Sequence, residues 1–500
     1  MTSPRVVRPG LILALVCAAQ FVVILDLAIV NVALPSIQAD LGATDSSLQW
    51  VVIAYGLTLG GCLLLGGRIA DLFGRRSSLA AGLVVFAAAS LAGGFAGSLG
   101  VLVAARAAQG VGGALALPAA LSIVTATFPE GAARNKALGV FGAVGGSAAS
   151  IGVIAGGALT SGPGWEWVFF INVPVGVAFA ALVMAVIPVS PHATERSIDL
   201  AGAVTVTAGL MAVVYAINKS VDAGWGSATV VGFLAAGAVL LAGFAVVESR
   251  ARVPLMPLSI FRHRTLTAAI GVSVLLWGSF FAVIFQGTLF MQQALGYSAM
   301  RTGAAWLAAT GSSLVVAGAI APRVVGRLGA ARTIVLGQLV MGLGLLRLAV
   351  VSVDAVYWSE LFPGYLGMGI GMGFSVVAIQ VAAFSGIETS VSGLAGGLIE
   401  TSREIGGAIG VAAVATLAIA RVDDVLGAGG AQEVALTEGY QRASLATALL
   451  TFAAALAAGV FLRRAERPDM PADGDVDVDV AITPTGIADG RPGTVTEPAA

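Results

Sequence analysis

The chain has 500 residues, of which 58% are apolar and only 11% charged, and its mean hydropathy is +0.95. Soluble globular proteins carry about a quarter charged residues, so an ordinary water-soluble fold is excluded. A formal net charge of −1 gives no electrostatic reason to bind nucleic acid, and two cysteines (Cys17, Cys62) with two histidines (His192, His263) offer neither a disulfide framework nor a metal site.

A membrane-crossing helix needs about 20 mostly apolar residues to cover about 30 Å of hydrocarbon. Such runs fall at 11–34, 49–67, 79–97, 101–124, 137–160, 167–189, 200–217, 228–247, 266–292, 302–322, 333–351, 358–383, 402–420 and 441–462, fourteen in all. They are continuous and do not alternate, which predicts helices and not barrel strands. The first run continues through Asp26 to Leu34 without a small-residue cleavage site, so it reads as a retained span and not a signal peptide.

Ionisable groups inside hydrocarbon are costly and are functional candidates by default. Asp26 lies well inside the first span, in FVVILDLAIVNVALP, with Asn31 nearby. Desolvation favours the neutral form of a carboxyl group, as a proton carrier requires; facing a cationic drug, or bonding a neighbouring helix, are the other readings. After the second span comes the basic turn GRIADLFGRR, with Gly67, Arg68, Asp71, Gly74, Arg75 and Arg76. Arg106 and Gln109 follow in the fourth span, where a guanidinium needs an acid or a wet cavity. The fifth span is a glycine ridge whose Gly152, Gly156 and Gly157 suit either a hinge or close packing.

Further along, PRVVGRLGAAR (322–332) repeats the basic turn in the second part of the chain, Gly329 falling on Gly74 and Arg323 on Arg68. Internal symmetry of this kind marks transporters. It predicts a six-helix bundle over 11–189, an inserted helix pair over 200–247, and a second six-helix bundle over 266–462. Glu360 near the twelfth span is a further acid candidate. Glu400, Arg403 and Glu404, leading into the thirteenth, are expected as a solvated charge cluster at the membrane boundary, with the two acids as further proton or substrate candidates. Trp277, Phe280, Phe281 and Trp306 are expected to pack or face lipid. The Asp-, Pro- and Gly-rich tail 463–500 reads as disordered.

With fourteen spans both termini share one side, which collects nineteen basic loop residues against four on the other. The bias predicts cytoplasmic N- and C-termini. Arginine carries nearly all the positive charge beside abundant Ala, Gly and Val, the composition of a GC-rich bacterial genome, so the expected location is a bacterial plasma membrane. No Walker A motif is present to bind ATP.

Together these stretches resemble the major facilitator superfamily, specifically its fourteen-span drug:proton antiporters, over nearly the whole chain to about residue 462. GRIADLFGRR is similar to the superfamily's signature loop between spans 2 and 3. LDLAIVNVALP (25–35), with Asp26, Asn31 and Pro35, resembles the first-span motif of that branch. LVAARAAQG resembles the fourth-span motif, whose arginine, Arg106 here, the family links to proton coupling. WEWVFFINVPVG (165–176) is similar to the branch's fifth-to-sixth hairpin. Three positions depart from the pattern: Val153 follows Gly152 where the family has proline, Ala28 replaces a common threonine, and Glu166 replaces a common arginine.

The resemblance implies an all-α membrane protein of the major facilitator fold, two six-helix bundles plus two extra central helices. It implies proton-coupled efflux of hydrophobic or cationic drugs by alternating access, with 67–76 as a cytoplasmic gate whose Asp and Arg side chains pair. The expected partners are a small substrate, protons and the lipid bilayer, with no nucleic acid. The energy source is the proton gradient, with no bound cofactor, and the working unit a monomer. The competing readings are a specific proton-coupled transporter of one metabolite or self-made antibiotic, and a membrane sensor or scaffold. An enzyme is not expected, for no nucleophile–base set or metal ligands occur at depth.

Overall fold

In hydrocarbon every backbone N–H and C=O must be satisfied within its own segment, and the apolar runs accordingly form helices. The computed structural model describes residues 8–43, 45–189, 199–251, 254–388 and 391–462; the tail 463–500 lies outside the described residues. Fourteen long helices follow one another. They are α1 (Pro9–Leu41), α2 (Trp50–Phe73), α3 (Arg75–Gly94), α4 (Leu99–Thr127), α5 (Ala132–Ser161), α6 (Trp167–Val186), α7 (Leu200–Ala223) and α8 (Ala228–Arg250). The rest are α9 (Arg264–Ala294), α10 (Met300–Leu328), α11 (Ala330–Leu348), α12 (Tyr357–Phe384), α13 (Ser392–Gly427) and α14 (Gln432–Leu462). Among the described residues thirteen are long and apolar enough to cross a membrane. The other, α5, is a 30-residue helix in the place of the expected fifth span.

The pairing of helices repeats. In the first part α1 packs on α5, α2 on α4, and α3 on both α4 and α6. In the second, α9 packs on α13, α10 on α12, and α11 on both α12 and α14. Between the two parts, α2 meets α13 and α5 meets α10, which are the same contact under the repeat. Gly74 and Gly329, equated from sequence, end α2 and α10 with φ of +97° and +81°, a region that favours glycine.

Approaches between helices are close because small residues line them. A Cβ on Gly410 (α13) would stand 2.2 Å from the carbonyl oxygen of Gly278 (α9). The helix pair α7–α8 lies outside the repeat. α7 packs against both α2 and α13, while the apolar stretch of α8 is only 17% buried and packs mainly on α7. Tyr215 of α7 stacks on Trp50 at the start of α2, and Trp225 after α7 donates its Nε1–H to Thr416 Oγ1 of α13 at 3.1 Å.

The glycine contacts predict a contrast. Gly410→Ala should lower stability by about 1–3 kcal/mol through overpacking. Gly157→Ala, where an added Cβ meets nothing within 4 Å, should be neutral or mildly stabilising. Thermal unfolding of the purified proteins in detergent measures both.

Candidate functional site

Asp26, Arg106 and Gln109 come from helices far apart in sequence and meet in one wholly buried cluster. The Arg106 guanidinium pairs through Nη1 with Asp26 Oδ2 and donates from the same nitrogen to Gln109 Oε1 at 2.8 Å. Gln109 Nε2 donates to Asp26 Oδ1 at 3.2 Å and to Ser90 Oγ at 2.7 Å. Asn172 Nδ2 donates to the same Asp26 oxygen at 2.7 Å, and Arg106 Nε donates to the Val51 carbonyl at 3.0 Å. Helices α1, α2, α3, α4 and α6 are thereby tied at a single carboxylate. A buried ion pair persists only when further hydrogen bonds satisfy its remaining atoms; here Arg106 Nη2 has no hydrogen-bond partner among the described residues. The guanidinium lies over the ring of Tyr55, 4.2 Å from its centroid, and Tyr55 donates its hydroxyl to the Val23 carbonyl at 2.8 Å.

Tyr55 also lines a cavity of about 110 Å³ between the two repeats. Its walls include Gln20 and Ala28 of α1, Tyr55 of α2, Trp277, Phe280 and Phe281 of α9, and Gln380 of α12. Glu400, Arg403 and Glu404 of α13 complete them. Asp26, Arg106 and Gln109 do not line it, so direct contact between Asp26 and a cationic drug, one of the readings from sequence, does not occur in this arrangement.

The charge cluster of α13 requires a correction. Glu400, Arg403 and Glu404 do not sit solvated at a membrane boundary. The helix begins at Ser392, eight residues before Glu400, about 12 Å at 1.5 Å per residue, and this carries the cluster to the cavity. Arg403 pairs with Glu400, and its Nε and Nη2 donate to Glu404 Oε1 at 3.1 and 3.0 Å. Its guanidinium faces the Trp277 ring at 5.6 Å. Two acidic side chains share one guanidinium, so this wall holds one acid more than it has bases.

At the end of the bundle that carries Gly74, α2 meets the start of α13. Asp71 Oδ1 and Oδ2 accept the backbone N–H groups of Gly393 and Leu394, each at 2.9 Å. The carboxylate thus caps a helix N-terminus, where free amides and the helix dipole favour an anion. An added Cβ on Gly67 would stand 2.4 Å from the Gly393 oxygen, so glycine is what permits the contact. Ser122 of α4 and Ser392 of α13 share a hydrogen bond of 2.7 Å beside it. Two of the loop arginines bind backbone carbonyls. Arg68 donates to the Pro254 carbonyl at 3.0 Å and Arg76 to the Ile187 carbonyl at 3.2 Å, tying down the chain that follows α8 and α6; Arg75 is buried. Asp71 is therefore latched by backbone amides of the opposite repeat.

The remaining candidates lie elsewhere. Asn31 is exposed and donates to the Leu27 carbonyl one turn back. Glu360 is half-buried and accepts from the N–H and hydroxyl of Ser352, at 2.7 and 2.9 Å, and from Val356 N–H, fastening the turn before α12. Neither touches the Asp26 cluster or the cavity. Gly152 and Gly156 pack against Leu25, Ala28 and Ile29 of α1, whereas Gly157 has open space; α5 runs unbroken through all three. Of the aromatics expected to pack or face lipid, Trp277, Phe280 and Phe281 line the cavity, while Trp306 packs on Tyr365 and donates to Thr288. Ser90, Asn172 and Tyr55 were not picked out from the sequence; Asn172, a polar residue within WEWVFFINVPVG, was the most accessible signal.

Residues 16–411 match the sequence profile of the Major Facilitator Superfamily. The puromycin resistance protein pur8 of Streptomyces alboniger is 37% identical over 460 residues, covering 90% of this chain and 88% of that protein. The tetracenomycin C resistance and export protein of Streptomyces glaucescens is 35% identical over 84% of this chain and 77% of its own length. The cephamycin export protein CmcT of Amycolatopsis lactamdurans is 37% identical over 81% and 84%. Among solved structures, the human organic anion transporter MFSD10 superposes with a TM-score of 0.64 at 14% identity, over 91% of this chain and all of that one. Repeat, helix pairing and sequence agree: the chain belongs to the Major Facilitator Superfamily, as a multi-pass membrane transporter.

Proposed function

We propose that this transporter exports small hydrophobic or cationic antibiotic-like compounds in exchange for protons, by alternating access of the cavity between its two repeats. The observation that carries the reading is the buried Asp26–Arg106 pair, whose guanidinium lies over Tyr55, a residue of the cavity wall. The named resistance and export relatives support the direction of transport. In this reading the bundles 11–189 and 266–462 are the moving bodies, the 200–247 pair is an accessory, and the proton gradient drives the cycle without a cofactor. The protein works as a monomer in a bacterial plasma membrane, with both termini and the 67–76 gate cytoplasmic, as the basic-residue bias supports. It is a carrier and not an enzyme.

The chemistry follows from the contacts. A proton on Asp26 cancels the charge that holds Arg106, and the guanidinium then loses its reason to stay where it is. Its displacement is felt at Tyr55, whose ring it covers, and so at the cavity wall. In the opposite sense, the ionised pair draws α1, α4 and α6 together. Gate closure depends on Asp71 remaining an anion at the α13 N-terminus. A substrate cation and a proton both lower the charge excess around Glu400 and Glu404, so each weakens the case for the other. Only such differential affinity between two states drives exchange. Relatives named for single antibiotics favour a narrow substrate range as the second reading.

Two experiments test these roles. Asp26→Asn should reduce dye or drug extrusion from cells to roughly a tenth of wild type or below, with unchanged protein in the membrane; full extrusion would remove Asp26 from the coupling. Asp71→Asn replaces an anion by a neutral amide at the helix terminus. With spin labels at the exposed positions Ser77 and Ser385, the population of the short-distance, closed state should fall roughly tenfold. An unchanged distance distribution would exclude the latch.

A further inference from the structure

We propose that the central cavity selects aromatic monocations that retain N–H hydrogens over fully N-alkylated cations of the same framework, with Gln20 and Gln380 as the residues that make the distinction. The inference rests on the export reading above and narrows its substrate class. Its first element is charge. Glu400 and Glu404 share a single Arg403, while Asp26 and Arg106 pair one to one, so the wall holds one acid beyond its bases, a counter-ion for one positive charge. The second is shape. Trp277 and Phe281 stack with centroids 5.5 Å apart on the same wall, a surface suited to a flat aromatic body and to a cation.

The third element separates one kind of cation from another. Gln20 and Gln380 are 3% and 6% exposed, both line the cavity, and the side-chain oxygen of each has no hydrogen-bond partner among the described residues. Buried acceptors without donors are rare and expensive. The two glutamines come from opposite repeats and abut the same glycine face of α5. An added Cβ on Gly145 would stand 2.6 Å from Gln20 Nε2, and one on Gly142 would stand 3.8 Å from Gln380 Oε1. Two acceptors lacking donors, one turn apart along α5, beside a surplus acidic side chain, match a cation with N–H groups. A quaternary or fully alkylated nitrogen satisfies the charge and the rings but leaves both oxygens unpaired. A site built to hydrogen-bond a donor rejects the analogue that lacks it.

Rhodamine 123 and tetramethylrhodamine methyl ester share ring system, ester and charge, and differ only in N-methylation. Fluorescence polarisation with the full chain in lipid nanodiscs should give rhodamine 123 an affinity at least about tenfold higher. Gln20→Met and Gln380→Met, singly and together, should shrink that preference, the double variant binding the two dyes within about twofold, with the tetramethyl dye unaffected. Glu404→Gln should weaken both dyes by a similar factor. Equal wild-type affinities, a preference that survives in the double variant (which would mark it as steric), or no binding of either dye would each overturn the inference. The N–H preference in nanodiscs together with no protonophore-sensitive extrusion in cells would overturn the export reading and leave this one standing.

Discussion

The buried polar network of the first repeat is arranged around one carboxylate kept out of water. Asp26 is tolerable in the bundle only because Arg106, Gln109 and Asn172 direct donors at it from two other helices. That requirement dictates where α1, α4 and α6 must stand and commits Ser90 to Gln109. In the proposed cycle this ion pair responds to the proton, and Tyr55, which Arg106 covers and which lines the cavity, is the side chain through which the cavity registers the change.

The gate uses a different device for a related purpose. Asp71 binds no oppositely charged side chain of the facing repeat but the first amides of α13, which are fixed in direction by the helix itself. Such a contact has no rotamers to lose on the acceptor's partner side, and it forms or breaks as the two helices approach or part. The same helix carries Glu400, Arg403 and Glu404 two to three turns further on. A movement of α13 that releases its N-terminus from Asp71 therefore also shifts the charged wall of the cavity, without any intermediate element.

Much of the fold was legible in the sequence because length and apolarity have one structural outcome in a bilayer, and the charges inside those runs had few permissible explanations. Asp26, Arg106 and Gln109 could be singled out for that reason. The cavity was not legible. An aromatic residue in a membrane helix has the same hydropathy whether it faces lipid or interior, so Trp277 and Phe281 gave no sign of their direction. The α13 cluster was misplaced because Ser392–Thr401 is too polar and glycine-rich to read as helix, which moved the apparent start of the span to the charges themselves. The amides that hold Asp71 were not foreseen, because backbone amides have no signature in a sequence.

The pair α7–α8 bears on how the two repeats can move. Tyr215 on Trp50 and Trp225 on Thr416 splice one flank of the molecule across the boundary between its halves, while the symmetry-related flank, α5 against α10, has no inserted helix laid over it. A rocking motion must either shear that splice or drag the pair along. A rocking of the two repeats would therefore meet unequal resistance at the two seams, and its pivot would lie toward the braced side.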